Sequence, residues 1–133
     1  MVDEIKKEKA AMIALANHVV KKMGKEFTEN LQARVFDVEK ALHKNELEKV
    51  VELSYNLETE AATFGWPRVT RICEWLRKVF SGDYDQKPKA EEVLSVLNSL
   101  KVMVKDTHNK NDIRDEELFR ELYPIMSKAI SDI

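Results

Sequence analysis

The chain is poor in the residues that interrupt or crosslink a fold: three glycines, three prolines and one cysteine in 133 residues. A lone Cys73 excludes an intramolecular disulfide and fits a reducing, cytoplasmic setting. With only three scattered histidines there is neither a CxxC nor an HxxxH spacing, so no metal site and no cofactor is expected. Charge of one sign is also lacking, because 22 Lys and Arg against 24 Asp and Glu leave a formal charge of −2 with no long block of either sign. That balance argues against a nucleic-acid partner. Long apolar runs are absent too: "MVDEIKKEKAAMIALANHVV" mixes lysines and acids into its first twenty residues, so neither a signal peptide nor a membrane span is expected.

What is there in abundance is Leu, Ala, Glu and Lys, set at three- and four-residue steps and never alternating at period two over any length. An all-α fold follows, and the length suits a single helical domain over 1–133. Ile5, Met12, Leu15, Val19 and Met23 mark a first helix over 3–23, with Gly24 as its stop. Phe27, Leu31, Val35, Val38 and Leu42 mark a second, starting near Thr28 and broken by "HKN" at 43–45. The third stripe is Leu47, Val50, Ser54, Leu57, Ala61 and Phe64, stopped by Gly65. Pro67 suits the first turn of a fourth helix whose buried line is Val69, Ile72, Leu76, Val79 and Phe80.

After a loop at 81–89, Val93, Val96 or Leu97, Leu100 and Val104 predict a fifth helix. A polar loop over 106–115 precedes a sixth, started by Asp115 and carried by Phe119, Leu122, Met126, Ala129 and Ile133. Pro124 inside it predicts a kink or a restart near Tyr123. Six amphipathic helices with short connections predict an antiparallel four-helix bundle with additional N- and C-terminal helices on its flank.

The third helix and its exit, "LSYNLETEAATFGW" at 53–66, carry a resemblance. They resemble the histidine-phosphotransfer (HPt) domain, in particular the N-terminal one of chemotaxis histidine kinases, whose signature is His-x-(Leu or Ile)-Lys-Gly-(Ser or Gly)-Ala-x-x-(Leu or Phe)-Gly. Leu57, Ala61, Phe64 and Gly65 take the four packing and turn positions. Tyr55 stands where the phospho-accepting histidine belongs, Glu58 where the lysine belongs, Thr59 where the glycine belongs, and Glu60 at the small residue after it. The order of parts is similar as well: the resemblance implies an HPt-type bundle over 26–131, with 1–24 an added N-terminal helix.

In the family an imidazole takes the phosphoryl group, and a tyrosine hydroxyl with a pKa near 10 is a poor substitute. The resemblance therefore implies a pseudo-histidine-phosphotransfer domain, not an enzyme, that binds a response-regulator receiver domain or a histidine kinase of a two-component or chemotaxis-like system without carrying phosphate. Candidate partner-binding residues are Glu52, Tyr55, Asn56, Glu58, Thr59 and Ala62 on that helix. Its acids predict repulsion from the acidic pocket of a receiver unless a metal or a basic rim of the partner compensates. Two alternatives stand beside this. Glu52 and Asn56, an acid and an amide one turn apart, resemble the way some receiver phosphatases position an attacking water. A helical scaffold or homodimerisation module, using the first helix as interface, is the other.

Remaining residues invite structural readings. Trp66 and Pro67 are expected to staple the junction of two helices, Trp75 to pack at the bundle edge, and Cys73 to be a small core residue. Arg68, Arg71, Arg77 and Lys78 make the fourth helix the most basic, ready either to pair with acids of the third or to form the positive part of a partner surface. His18, His43 and His108 lie outside any phosphotransfer context.

Overall fold

A computed structural model describes residues 2–105 and 113–131, with side chains from Glu116 onward in the second span. All regular structure among the described residues is helical: α1 (Val2–His43), α2 (Leu47–Thr63), α3 (Pro67–Phe80), α4 (Ala90–Lys105) and α5 (Ile113–Ala129). The chain divides into two compact units, Met1–Asn30 and Leu31–Ile133.

Five helices stand where six were expected, because Gly24 does not end the first one. Gly65 and Gly82 have positive φ, whereas Gly24 is an ordinary helical residue inside α1. A glycine stops a helix only when the backbone turns left-handed and its last carbonyls find other donors; otherwise it costs about 1 kcal/mol and the helix runs on. Here the flanking residues bond helically. Thr28, expected near a helix start, donates its hydroxyl to the Gly24 carbonyl at 2.9 Å, Asn30 donates its side-chain amide to Glu26 O at 2.8 Å, and Lys25 and Glu29 stand 3.9 Å apart one turn apart.

The stops that do hold share one geometry. At the end of α1 the Glu46 N–H donates to Ala41 O and Asn45 N–H to Leu42 O, with Asn45 itself at φ 58. Asn is among the few side-chain-bearing residues that tolerate this region, which is why "HKN" breaks the chain as expected. Gly82 closes α3 in the same way, with Asp83 N–H on Lys78 O and Gly82 N–H on Val79 O. Pro67 opens α3 at its first turn, as expected. The start of α4 is capped from within, since Glu92 accepts the Lys89 N–H at 2.9 Å.

In the unit Leu31–Ile133 the core is built from one stripe per helix. Leu31, Val35, Val38 and Ala41 of α1 join Val50, Leu57 and Ala61 of α2, Val69, Ile72, Trp75 and Leu76 of α3, Val96, Leu97, Leu100 and Met103 of α4, and Leu122, Met126 and Ala129 of α5. The anticipated apolar lines of this unit are thus the buried ones, although Leu47 is exposed and Leu42, Phe64, Phe80 and Phe119 are half-buried. Trp75 is fully buried, not at the edge, and its Nε1–H donates to Met126 O at 3.1 Å, tying α3 to α5. An indole N–H taken out of water needs such an acceptor.

Polar ties fix the remaining neighbours. Lys101 of α4 meets Glu39 of α1 at 2.7 Å, and Arg68 of α3 meets Glu116 of α5 at 3.8 Å. The 81–89 segment is a loop, as expected, pinned to the end of α5: Asp85 and Gln86 donate their N–H groups to Ala129 O, and Asp85 Oδ2 accepts from the Ser131 hydroxyl at 2.7 Å. Helix α5 begins at Ile113, ahead of Asp115, and continues through the exposed Pro124 without a restart at Tyr123. The expectations for 106–112, His108 and Ile133 lie outside the described residues. No helix among the described residues is long and apolar enough to cross a membrane.

Candidate functional site

The stretch 53–66 forms the second half of α2 and its exit. Its inner line is Val50, Ser54, Leu57 and Ala61, all buried. Tyr55 lies about 100° round the helix from Ser54 and is 55% exposed. Glu52, Asn56, Thr59 and Ala62 are exposed on the same outward stripe. The helix therefore separates the residues of the phosphotransfer-like motif by face. Those that fit the signature point inward or make the turn; of those that depart from it, Tyr55 and Thr59 are exposed and Glu58 and Glu60 lie half-buried on the flanks.

The matched positions have definite structural tasks. Leu57 is 1% exposed and Ala61 not at all, while Phe64 is half-buried. Gly65 has φ 79, and beyond it the Trp66 N–H donates to Ala61 O at 2.8 Å, so the end of α2 is capped. Trp66 is 2% exposed, and this buried ring next to the cap anchors the turn into Pro67. Thr59 turns its hydroxyl to its own helix, donating to Tyr55 O at 3.0 Å, and Thr63 does likewise to Thr59 O.

Glu58 does not act as a free surface acid. Arg77 of α3 donates Nε–H to one of its carboxylate oxygens at 2.7 Å and an Nη2–H to the other at 3.2 Å, a two-point grip. Hydrogen bonding to Glu58 is the main cause that holds the guanidinium pKa above its ordinary value. The same guanidinium carbon lies 5.8 Å from the centre of the Tyr55 ring, within cation–π range. Glu60 is likewise paired with Arg34 of α1. The stripe expected to be acidic is thus partly neutralised, because α3 and α1 each supply an arginine that the α2 sequence alone does not reveal. Of the basic residues of α3, Arg77 takes the anticipated role of partner to an acid of α2, and Lys78 pairs within its own helix to Glu74 at 3.2 Å.

Behind this face sits Ser54, fully buried, whose Oγ has no hydrogen-bond partner among the described residues. Cys73, also buried, has its thiol pushed up to about 12, chiefly by loss of water and secondarily by the Glu58 charge. A thiol so placed stays protonated and inert, in keeping with a core residue. Glu52 and Asn56 are both exposed one turn apart, the geometry that the phosphatase alternative requires. Among the described residues no group of three or more His, Cys, Asp or Glu is arranged to hold a metal.

A separate apolar groove of about 540 Å³ opens at the turn between α1 and α2, lined by Leu42, Leu47, Val79, Phe80, Tyr84 and Leu94 among others. No candidate residue of α2 borders it. Its lining draws on α1, α2, α3, the 81–89 loop and α4, so no periodicity within one helix announces it. No protein-family model, curated protein or solved structure matches the chain.

Proposed function

We propose that this chain is a pseudo-histidine-phosphotransfer domain, a four-helix bundle of the HPt type that binds a receiver domain or a histidine kinase in the cytoplasm without carrying a phosphoryl group. The binding face is the outward stripe of α2, with Tyr55 as its aromatic anchor and Glu52, Asn56, Thr59 and Ala62 around it. The observation that carries the proposal is the sorting of the motif by face: Leu57, Ala61 and Gly65 pack and cap, while Tyr55 stands 55% exposed at the place of the acceptor histidine. A half-exposed aromatic on a rigid helix is a good interface anchor.

Electrostatics support the same face. Where the signature has a lysine on the helix itself, Glu58 recruits Arg77 from α3 and brings a guanidinium to within 5.8 Å of the Tyr55 ring centre. Positive charge is therefore present beside the acceptor position by a different route. With Glu58 and Glu60 paired while Glu52 stays exposed, the repulsion expected from a receiver's acidic pocket is reduced.

The test is incubation with a phosphorylated receiver and with an active kinase, alongside calorimetric binding to each. The proposal expects saturable binding, weakened at least tenfold by Tyr55→Ala, with no transfer of label. Acid-labile phosphate on the purified protein, or binding unaffected by Tyr55→Ala, overturns it. If instead the receiver loses its phosphate faster in the presence of the protein and Asn56→Ala abolishes that effect, the phosphatase alternative using Glu52 and Asn56 replaces it.

A further inference from the structure

The unit Met1–Asn30 carries an apolar surface with no counterpart in its own helix turn. Ile5, Met12, Ile13, Val19, Val20 and Met23 fall within roughly 120° of the helix circumference, and each is between 45% and 70% exposed. Ile5, Met12 and Val19 recur at intervals of seven, the spacing of a helix–helix seam. Together with the adjoining Val2, Leu15 and Ala16 this face offers on the order of 800 Å², more than the largest apolar patch of an ordinary monomer and equal to one partner's share of a standard interface.

We propose that this face pairs with the same face of a second copy of the chain, in antiparallel orientation. The net charge of the unit permits self-association, since six lysines (6, 7, 9, 21, 22, 25) against five acids (3, 4, 8, 26, 29) leave only +1. The arrangement of those charges chooses the orientation. Lys9 is the one charged residue in the middle of the stripe. A parallel, in-register pair sets it against its own copy, like charge against like. An antiparallel pair centred near Ala14 sets Lys9 level with Val19 and Ile5 level with Met23. The same register sets Asp3 level with Lys25 but Lys6 and Lys7 level with Lys22 and Lys21, so these end charges offset one another and Lys9 sets the orientation. Such a contact is two-fold symmetric and closes at two copies.

The experiment is sedimentation equilibrium on the full chain across a concentration series, with circular dichroism and thermal melting on every variant. The proposal expects a dimer with a dissociation constant below ~100 µM. Met12→Glu/Val19→Glu raises that constant at least tenfold while the melting of the Leu31–Ile133 core is retained, and Lys9→Leu lowers it. The variant Ile5→Cys/Met23→Cys oxidises to a dimer joined between positions 5 and 23, and a product joined 5 to 5 overturns the antiparallel orientation. A monomer at all concentrations overturns the proposal, whatever covers the face within one chain. So does a trimer or larger assembly, or a dimer indifferent to the Met12/Val19 variant.

Discussion

Breaking the Glu58–Arg77 grip is the most direct perturbation of the α2 face. Two hydrogen bonds of 2.7 and 3.2 Å join side chains that are 17% and 29% exposed, so the pair is neither buried nor freely solvated. Charge-assisted bonds contribute about 1.5–3 kcal/mol when shielded, while exposed ion pairs contribute about 0.2–1 kcal/mol. Partial exposure places the coupling between these, at roughly 1–1.5 kcal/mol. Arg77→Met is expected to cost more than Glu58→Gln, because it also removes the cation lying 5.8 Å from the Tyr55 ring centre, a contact of about 0.5–1 kcal/mol. The assay is a double-mutant cycle from urea denaturation followed by fluorescence of Trp66 and Trp75, both buried. The Arg34–Glu60 pair, whose acid is 46% exposed, serves as control and is expected to couple by less than ~1 kcal/mol. A Glu58–Arg77 coupling under ~0.3 kcal/mol, or one smaller than the control, refutes the reasoning that the arginine is held in place by the acid.

Three further outcomes follow from single sites. Ser54→Ala removes a buried hydroxyl without a partner and is expected to raise stability by about 1 kcal/mol in the same urea assay; a loss of that size shows that the hydroxyl is bonded. Gly65→Ala forces a side chain onto φ 79 and is expected to cost about 1–2 kcal/mol, whereas Gly24→Ala, inside the regular α1, raises helix stability by about 0.5–1 kcal/mol; matching signs in thermal melts contradict the assignment of one glycine as cap and the other as helical. Hydrogen bonds from Ser131 hold the Asp85 pKa below its ordinary value, so the stability that this carboxylate adds at the end of α5 is fully present above the ordinary value and is lost as pH falls through the folded-state value. The protection of the Asp85 and Gln86 amides, measured relative to their intrinsic exchange rates at each pH, is expected to fall on acidification, and Asp85→Asn to remove that fall; wild-type protection that does not change across this range contradicts it.

Much of the candidate site was legible in the chain itself. The spacing of Val50, Ser54, Leu57 and Ala61 assigns the inward face of α2, and with it the outward placement of Tyr55, because helical geometry leaves the opposite side to solvent. The stops at 43–45, Gly65 and Gly82 were legible for a local reason: a left-handed residue followed by a capping N–H is a short-range device. Gly24 misled because glycine is permissive and does not compel a turn; whether the chain turns depends on donors for the final carbonyls, and the flanking residues supply helical bonds instead. Pro124 pointed to a kink or a restart, and the restart does not occur, since a helix can lose one N–H and continue when its other face is packed through Leu122 and Met126.

By itself, then, the sequence determined the all-helical class, the buried stripe of each helix in the Leu31–Ile133 unit and most of the turns, all of which depend on interactions within a few residues. Tertiary structure decided which arginine meets which acid on α2. Glu58 and Arg77 are 19 residues apart, and Arg34 and Glu60 are 26 apart, so their pairing depends on how three helices pack and not on any local pattern. The same holds for the burial of Trp75 against Met126, 51 residues away. Side chains find distant partners only after the stripes have packed, and that packing pairs Glu58 and Glu60 of α2 while Glu52 stays exposed.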